Sequence, residues 1–185
     1  MKHEVIFSGI GGQGVILAGK LLCTAAAKEG YTVTLAPAYG QEKRGGRTSC
    51  QVVISDEIGS PVISEADLIL VFDEKSLEDY ENKVKKDGYL LINSSMINIE
   101  PKRTDIKVVK IPLNDVANEI GNARTANMVA LGCIIEITKV VRIQSLENAV
   151  LSRVPKGTEE LNKRALYEGI QLIKQGKGSI RYEIC

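Results

Sequence analysis

The sequence predicts an α/β fold of the Rossmann-like type, with a mostly parallel sheet, flanking helices and a helical C-terminal segment. Three observations lead to this prediction. The first thirty residues contain a strand pattern, a glycine-rich turn and a helix pattern. Apolar strand-like runs and helical periodicity then alternate up to about residue 112, and only helical patterns follow. With 185 residues, 44% of them hydrophobic, the chain is expected to form one domain over residues 1–185.

The first half of the chain alternates strands and helices. Residues 5–7 are a continuous apolar run, which is typical of a buried parallel strand, and a helix with repeating apolar residues follows and stops at Gly30. Residues 31–35 alternate and are rich in β-branched side chains, and Pro37 is expected to end this strand before a loop at 38–48. Further strands are predicted at residues 49–55, 68–72, 88–93 and 107–112, a small hairpin strand at 61–63, and a polar surface helix at 74–85.

The second half is predicted to be helical and to pack on the sheet or on a partner chain. Helices are predicted at residues 113–120, 126–140, 144–154 and 158–175. Gly121 is expected to close the first of them. Thr158 is expected to be the N-cap of the last helix, which also carries two acidic residues in its first turn.

Composition argues against several classes of protein. The formal net charge is +1, tryptophan is absent and phenylalanine occurs twice, so neither charge nor aromatic content suits a nucleic-acid-binding or membrane-surface protein. The cysteines show no C-x-x-C spacing and the only histidine is His3, so no metal or cluster site is expected. Cys23 and Cys133 lie in apolar stretches and are predicted to be core residues, whereas Cys50 and Cys185 are given no role.

No targeting or membrane-spanning segment is predicted. The chain begins with a polar Met1-Lys2-His3-Glu4 stretch that leads directly into a strand. The longest apolar run, residues 128–141, is interrupted by Glu136 and Lys139. Together with the cysteine usage, these features predict a cytoplasmic protein.

The glycine-rich turn lies between a strand and a helix, where a phosphate-binding G-x-G-x-x-G motif requires it. Gly9 would allow the tight turn, Gly11 would let a phosphate approach the backbone, and Gly14 would let the helix pack on the strand. The helix N-terminus would add free N–H groups and the positive end of the helix dipole.

The residue that would identify a dinucleotide site is missing. The second strand ends Thr34-Leu35-Ala36-Pro37, with no acidic residue for a ribose hydroxyl and no arginine for a 2′-phosphate. Glu42 and Arg44 come too late in the loop. Three interpretations stay open: a tight crossover that packs against another chain, a site for a phosphate-bearing ligand other than a nicotinamide, and a conventional dinucleotide site.

The loop after the second strand carries a second set of candidate binding groups. Gly45 and Gly46 would expose backbone N–H groups, and Glu42, Arg44 and Arg47 surround them with charge. Arginine suits bidentate capture of a carboxylate or phosphate. In a doubly wound fold this loop would lie near the glycine turn, so that both could form one anion-accepting rim. The alternative is a solvated loop in which Glu42 and Arg44 pair with each other.

Taken together, these motifs resemble the gamma subunit of the 2-oxoacid:ferredoxin oxidoreductases, a pyruvate/ketoisovalerate oxidoreductase gamma-type domain. The resemblance starts from the Gly-Ile-Gly-Gly-Gln-Gly-Val turn at 9–15 and the Tyr-Gly-Gln-Glu-Lys-Arg-Gly-Gly run at 39–46. Similar segments follow at residues 111–112, 121–122, 126–132 and 154–156. The similarity covers nearly the whole chain and looks strongest for the 2-oxoglutarate branch.

The resemblance implies a reaction for a complex. Enzymes of this family decarboxylate a 2-oxoacid on thiamine diphosphate with magnesium, pass two electrons through iron–sulfur clusters to ferredoxin, and form an acyl-CoA. The implied partners are alpha and beta subunits, with or without a delta subunit, and no nucleic acid or membrane. This chain carries no thiamine signature, no cluster-binding cysteine pattern and no catalytic or metal-ligating set, so by itself it is expected not to be catalytic.

The glycine turn and the arginine loop are then expected to line the route of coenzyme A, or to serve only as an interface. The candidate cofactor-binding residues are Gly9, Gly11, Gly12, Gln13, Gly14, Tyr39, Glu42, Arg44, Gly45, Gly46, Arg47 and Asn127. Alternatives are a gamma-type subunit for pyruvate, branched-chain 2-oxoacids or indolepyruvate, and a stand-alone nucleotide-binding regulator that would retain nucleotide when purified. An NAD-dependent dehydrogenase would lack both its ribose acid and its catalytic residues.

Overall fold

The computed structural model describes residues 1–40, 45–58, 60–177 and 179–181, which form seven strands and six α-helices, with short 3₁₀ helices at Glu81–Lys83 and Ala123–Thr125. The strands are β1 (Lys2–Ile10), β2 (Thr32–Tyr39), β3 (Arg47–Ser55), β4 (Ala66–Val71), β5 (Val84–Asn93), β6 (Lys107–Ile111) and β7 (Ser179–Arg181). The helices are α1 (Val15–Lys28), α2 (Glu74–Tyr80), α3 (Leu113–Ile120), α4 (Ala126–Thr138), α5 (Ile143–Leu151) and α6 (Glu159–Lys174). None of these helices is long and apolar enough to cross a membrane.

All strands belong to one sheet with the order β2-β3-β1-β4-β5-β6-β7. β1, β4, β5 and β6 are successive parallel neighbours, whereas β3 lies antiparallel between β1 and β2, and β7 is antiparallel to β6. Five strands therefore run in one direction, and the carboxyl ends of β1 and β2 reach the same edge of the sheet. This arrangement confirms the predicted α/β fold with its mostly parallel sheet and helical C-terminal segment.

Helices cover the two faces of the sheet unequally. One face carries α1 and the helices α3 to α6 over a large core that includes Phe7, Leu70 and Val129. The opposite face packs a smaller core, which includes Ile6 and Leu90, beneath α2 and the loops that precede β4 and β6. Cys23 and Cys133 are buried in the larger core, as predicted.

Pro37 does not end β2, contrary to the prediction. The backbone of Gly40 donates to the carbonyl of Arg47 at 2.6 Å, and the direction of backbone groups alternates along an antiparallel strand. Ala38 and Ala36 therefore face β3, whereas Pro37 faces the free edge, where its missing N–H costs no ladder bond. The strand continues to Tyr39, and the loop predicted at 38–48 is shorter.

Three other predictions about elements are wrong. Residues 61–63 form no strand, because Ile63 instead donates its N–H to the Gln51 side chain at 3.2 Å and is buried. The helix predicted at 74–85 is shorter: α2 ends at Tyr80, a 3₁₀ helix covers Glu81–Lys83, and β5 begins at Val84. The C-terminal part is not entirely helical, because β7 follows α6 and pairs with the edge of β6. No local sequence pattern indicated this strand.

Thr158 precedes α6 at the predicted N-cap position but does not cap it. Its hydroxyl donates to the carbonyl of Pro155 at 2.7 Å and makes no capping bond to the helix. The two predicted acidic residues of the first turn, Glu159 and Glu160, are in place, and they favour the helix through its dipole.

Candidate functional site

The glycine-rich turn extends the pairing between β1 and β3. Gly11 donates its N–H to the carbonyl of Gly46 at 2.9 Å, in the same register that pairs Ile10 with Arg47. The turn and the following loop are therefore joined by a backbone hydrogen bond and share one rim. The N–H of Gly11 is used within the protein and not by a ligand.

Gln13 shapes the turn from within. Its Oε1 accepts the N–H of Ile10 at 2.7 Å, and its own N–H donates to the Ile10 carbonyl at 3.2 Å. The last residue pair between β1 and β4 is Ser8 with Val71, so the N–H of Ile10 lies beyond that pairing. The Gln13 side chain gives this N–H its hydrogen-bond acceptor. A Cβ on Gly9 would lie 2.5 Å from Gln13 Oε1, so Gly9 leaves the space that this side chain occupies.

Asn127 holds the end of the turn from the side of α4. Its Nδ2 donates to the carbonyl of Gly14 at 3.3 Å, and that carbonyl also accepts the first helical N–H of α1, from Ala18, at 2.9 Å. Gly14 has φ 74°, and a Cβ there would lie 2.2 Å from Asn127 Nδ2. Asn127 is 3% exposed, and its Oδ1 has no hydrogen-bond partner among the described residues. Its contact is with the turn itself, and it does not line the adjacent cleft.

A cleft of about 520 Å³ opens between the turn and the loop. It is lined by residues 10–12, 14–17, 39–40 and 45–48. Because the first helical bond of α1 comes from Ala18, the N–H groups of residues 15–17 precede the helical ladder. Such a helix start accepts phosphate or carboxylate oxygens.

Arg47 is the charged side chain among these lining residues, and it already has a partner. Its Nη1 lies 2.5 Å from Asp79 Oδ2 on α2, and the Arg47 side chain is 54% exposed. Asp79 also lies 3.2 Å from Lys75 Nζ. The pair holds Nη1 of the guanidinium at the rim, while more than half of the side chain stays exposed. Nothing in the sequence indicates Asp79, because it follows Arg47 by 32 positions and lies on another element.

Tyr39 stands at the rim with 70% of its surface exposed, and Gly45 adopts φ 67°, which favours glycine. The structure thus brings the glycines of the turn, Tyr39 and the Gly45–Arg47 segment together around one cleft. Glu42 and Arg44 lie outside the described residues.

The interposed strand β3 explains why the dinucleotide acid is missing. In the standard dinucleotide-binding arrangement the second strand is next to the first, and its carboxyl end brings the acid to the ribose. Here β3 separates β2 from β1, so Arg47 and Thr48 occupy the place beside the turn. The end of β2 is one strand further away.

Metal ligation finds no support in the part of the chain that the structure describes, where no three His, Cys, Asp or Glu side chains form a group that could hold an ion. Burial, together with nearby Cys50, raises the pKa of Cys23 to about 12, and burial raises the pKa of Cys50 to about 11 although Lys20 opposes it. Burial also raises the pKa of Cys133. These thiols stay protonated at neutral pH, which makes them poor nucleophiles.

A larger cavity, of about 730 Å³, lies at the opposite end of α1. Its carboxylates are neutralised locally: Glu29 accepts the N–H of Arg142 at 2.8 Å and lies beside its guanidinium, and Glu136 pairs with Lys139. We place the candidate site at the glycine turn because the unbonded N–H groups at the start of α1 and the hydrogen-bonded turn converge there.

Known proteins resemble the chain along its length. It matches the family described as pyruvate ferredoxin/flavodoxin oxidoreductase over residues 4–172. It is 36% identical to a 2-oxoglutarate synthase subunit KorC of Methanocaldococcus jannaschii over 179 residues, which is 95% of this chain and 96% of that protein. It is also 36% identical to a ketoisovalerate oxidoreductase subunit VorA of Methanothermobacter marburgensis, but over 72% of this chain and 28% of that protein.

A solved structure supports the same relationship. The gamma subunit of a keto/oxoacid ferredoxin oxidoreductase from Geobacter sulfurreducens is 35% identical, with a TM-score of 0.83, covering 92% of this chain and 95% of that chain. The family match and the structural match each span most of the chain, and the residues matched by the family include the glycine turn. The chain therefore belongs to the pyruvate ferredoxin/flavodoxin oxidoreductase family.

Proposed function

We propose that the chain is the gamma subunit of a 2-oxoacid:ferredoxin oxidoreductase, with 2-oxoglutarate as the oxoacid, and that it acts as one gamma-type domain over residues 1–185. The observation that carries the proposal is the end-to-end similarity to a 2-oxoglutarate synthase subunit. A ketoisovalerate oxidoreductase subunit is equally identical to this chain, at 36%. The identity of the oxoacid therefore needs a direct assay.

The complex would oxidatively decarboxylate 2-oxoglutarate. The bond between the carboxyl and keto carbons breaks, carbon dioxide leaves, the acyl group forms a thioester with coenzyme A, and two electrons reduce ferredoxin. Thiamine diphosphate with magnesium and iron–sulfur clusters supply the carbanion and electron-transfer chemistry in such complexes. The described cysteines and carboxylates of this chain do not fit these groups. We assign the groups to alpha and beta partner subunits, with or without a delta subunit, in the cytoplasm.

The part of this reaction that fits the chain is the binding of a coenzyme A phosphate. The helix start at residues 15–17 offers backbone N–H groups, and Arg47 carries positive charge at the same cleft. Gln13 and Asn127 keep the turn in shape rather than contacting the ligand, since their hydrogen bonds go to Ile10 and Gly14. Glu42 and Arg44, which lie outside the described residues, stay sequence-based candidates for the same ligand, and Tyr39 stands beside the cleft.

Purification from the native host tests the subunit assignment. A tagged chain should retain two larger chains together with thiamine diphosphate and iron, and the complex should reduce ferredoxin with 2-oxoglutarate in preference to pyruvate, 3-methyl-2-oxobutanoate and indolepyruvate. Recovery of the chain alone with a bound nucleotide would favour a regulatory protein instead. Preference for another of the four oxoacids would correct the substrate and keep the subunit assignment.

Kinetics of the assembled enzyme test the coenzyme A site. Arg47→Ala and Arg44→Ala should each raise the KM for coenzyme A about tenfold, as expected for the loss of one charge-assisted contact, while the KM for the oxoacid stays unchanged. Arg153→Ala is the matched control, because Arg153 is exposed on the turn after α5 and does not line the cleft. Unchanged coenzyme A kinetics in both variants would refute this role of the loop.

A further inference from the structure

Gly11 is the one glycine of the turn that the fold itself does not require. Gly12 and Gly14 have positive φ angles, of 95° and 74°. A Cβ on Gly9 would lie 2.5 Å from the Gln13 side chain. Gly11 has no positive φ, and the atoms nearest to an added Cβ would lie 3.5, 3.8 and 3.9 Å away, which is ordinary contact distance. Neither backbone strain nor a clash with the described residues therefore excludes alanine there.

The side of Gly11 that carries no Cβ faces the cleft. The three atoms nearest to the Cβ position are the Gly46 carbonyl oxygen at 3.5 Å, the Thr48 hydroxyl oxygen at 3.8 Å and the Gly45 nitrogen at 3.9 Å. All three residues line the cleft of about 520 Å³. The space beside Gly11 is therefore bounded by polar atoms, two of which belong to hydrogen-bond donors.

Thr48 presents a buried hydroxyl to this space, and that hydroxyl is weakly engaged within the chain. Thr48 is 9% exposed, and its hydroxyl donates to the Gly46 carbonyl at 3.4 Å, well beyond the usual O–H···O distance of about 2.7–2.8 Å. The same carbonyl accepts the Gly11 N–H at 2.9 Å, so it keeps a partner when the hydroxyl turns away. The Thr48 hydroxyl can therefore donate to a ligand at little cost to the fold.

The charge and size of the cleft favour a small anionic ligand. Among its described lining residues, Arg47 is charged and no carboxylate is present. The N–H groups of residues 15–17, which precede the helical ladder of α1, open on the same cleft. Its volume of about 520 Å³ lies within the range of about 300–1,000 Å³ that small-molecule sites occupy, which favours a small molecule over one side chain of a partner protein.

We propose that the Thr48 hydroxyl and the Gly45 N–H bind one phosphate oxygen of coenzyme A in the space beside Gly11. This inference rests on the proposed function, which brings a coenzyme A phosphate to the cleft, and it adds Thr48, which is not among the sequence-predicted site residues. Both donors lie about 1 Å beyond normal hydrogen-bond length from the Cβ position, so an oxygen displaced toward them is within reach. Gly11 is then a glycine because a ligand, and not the fold, uses the space.

Gly11→Ala in the assembled enzyme tests the space directly. The added Cβ takes the place of the phosphate oxygen, so the KM for coenzyme A should rise at least about tenfold, while kcat and the KM for the oxoacid stay unchanged. The melting temperature should stay the same or rise slightly, since alanine fits this backbone and restricts the unfolded chain.

Gly30→Ala is the matched control for this substitution. Gly30 follows α1 at the end opposite to the glycine turn, has φ 91° and has nothing within 4 Å of an added Cβ. Gly30→Ala should therefore lower the melting temperature through backbone strain and leave the KM for coenzyme A unchanged. The two glycines thus separate an effect on ligand binding from an effect on stability.

Substitutions of Thr48 test the hydrogen bond. Thr48→Val keeps the β-branched shape and removes the hydroxyl, so the KM for coenzyme A should rise about tenfold, as expected for the loss of one hydrogen bond to a charged group. Thr48→Ser keeps the hydroxyl and should stay within about twofold of the natural enzyme. A role of Thr48 in strand packing alone would affect the melting temperature of these variants and not their KM for coenzyme A.

An unchanged KM for coenzyme A in either Gly11→Ala or Thr48→Val would overturn the proposal. If Arg47→Ala raises that KM in the same assay, the cleft still binds coenzyme A and the proposed function stands. If Arg47→Ala and Arg44→Ala are also without effect, the proposed coenzyme A site itself fails. Loss of the larger chains from purified Gly11→Ala, with unchanged kinetics of the complex that remains, would assign the space to a partner subunit and also overturn the proposal.

Discussion

The glycines of the turn serve different physical purposes. Gly9 and Gly14 each leave room for a side chain, because an added Cβ would lie 2.5 Å from Gln13 Oε1 in one case and 2.2 Å from Asn127 Nδ2 in the other. Gly12 has φ 95° but nothing within 4 Å of an added Cβ, so only its backbone conformation favours glycine. The sequence motif gives no distinction between these glycines, whereas the structure shows that Gly9 and Gly14 lie against side chains and Gly12 does not.

Gly14→Ala should destabilise the chain by about 2–4 kcal/mol, because it combines left-handed strain with a clash against Asn127. Gly12→Ala should cost only the conformational strain, about 1–2 kcal/mol. Urea unfolding of both variants measures the difference. Equal losses of unfolding free energy would mean that Asn127 moves away freely and does not hold the turn.

Arg47 and Asn127 show how much about a residue's contacts can be inferred from its residue type alone. Both were expected to contact a ligand, and both lie next to the turn or its cleft. Each has its first partner within the chain, Asp79 for Arg47 and the Gly14 carbonyl for Asn127. Those partners come from distant elements, so the sequence could indicate the chemistry of the two residues but not their contacts.

At the scale of the element, β2 illustrates how position in a sheet overrides local propensity. Proline is expected to stop a strand, and it would do so in a central strand. In β2 the proline occupies an outward position of an edge, where no bond is lost.

The stability of the protein should therefore depend on which position of β2 holds a proline. Ala36→Pro should lower the unfolding free energy by about 3 kcal/mol, since Ala36 donates toward β3 and its N–H would be lost. Pro37→Ala, the control, should change it by less than about 1 kcal/mol. Thermal unfolding compares the two, and a larger loss from Pro37→Ala would show that the assigned alternation is wrong.

The crossing of α4 and α6 depends on two glycines. A Cβ on Gly132 would lie 2.0 Å from the carbonyl oxygen of Leu166, and one on Gly169 would lie 2.0 Å from that of Val129. The backbones are thus in direct contact, and Cys133 Sγ lies 3.4 Å from the Gly169 carbonyl oxygen. The apolar pattern predicted helices here but contained no sign of how closely they approach.

Gly132→Ala should destabilise the protein by at least about 3 kcal/mol, because backbone atoms cannot move aside as a flexible side chain would. Alanine would otherwise favour a helix, so the sign of the effect is diagnostic. Glu168→Ala, at an exposed position on α6, is the control and should stay within about 0.5 kcal/mol. Denaturant unfolding measures the free energy of unfolding of both variants. A higher value for Gly132→Ala than for the natural chain would exclude a close crossing of α4 and α6.

Over the whole molecule, charges at the amino-terminal ends of the strands tie β1, β4 and β5 together. Glu4 is buried, with its carboxylate 2.8 Å from both Lys2 Nζ and Lys85 Nζ, and Lys85 also lies 2.8 Å from Asp67. Burial opposes ionisation of Glu4, but the hydrogen bonds and charges of the two lysines outweigh it and lower its pKa below 4.5.

This shift gives stability a defined pH dependence. A carboxyl with a lowered folded-state pKa stabilises the fold fully above its unfolded pKa, near 4.5, and loses that contribution as pH falls through the folded pKa. Glu4→Gln should therefore cost about 1–3 kcal/mol at pH 7, and the difference from the natural chain should shrink below pH 4.5. Glu78→Gln, which affects an exposed surface pair, should show little change. A difference that persists undiminished in acid would assign the effect to packing.

The sequence alone determined the fold class, the strand–turn–helix at the start, the three C-terminal helices and the family, because each depends on periodicity or on a contiguous motif. Only the tertiary structure decided that β3 lies between β1 and β2, that Pro37 faces a free edge, that Asp79 holds Arg47, and that α4 and α6 touch through Gly132 and Gly169. These features depend on pairs of residues far apart in the chain. Local patterns specify which side of an element is apolar, but strand order and close contacts follow from the joint packing of all elements around one sheet.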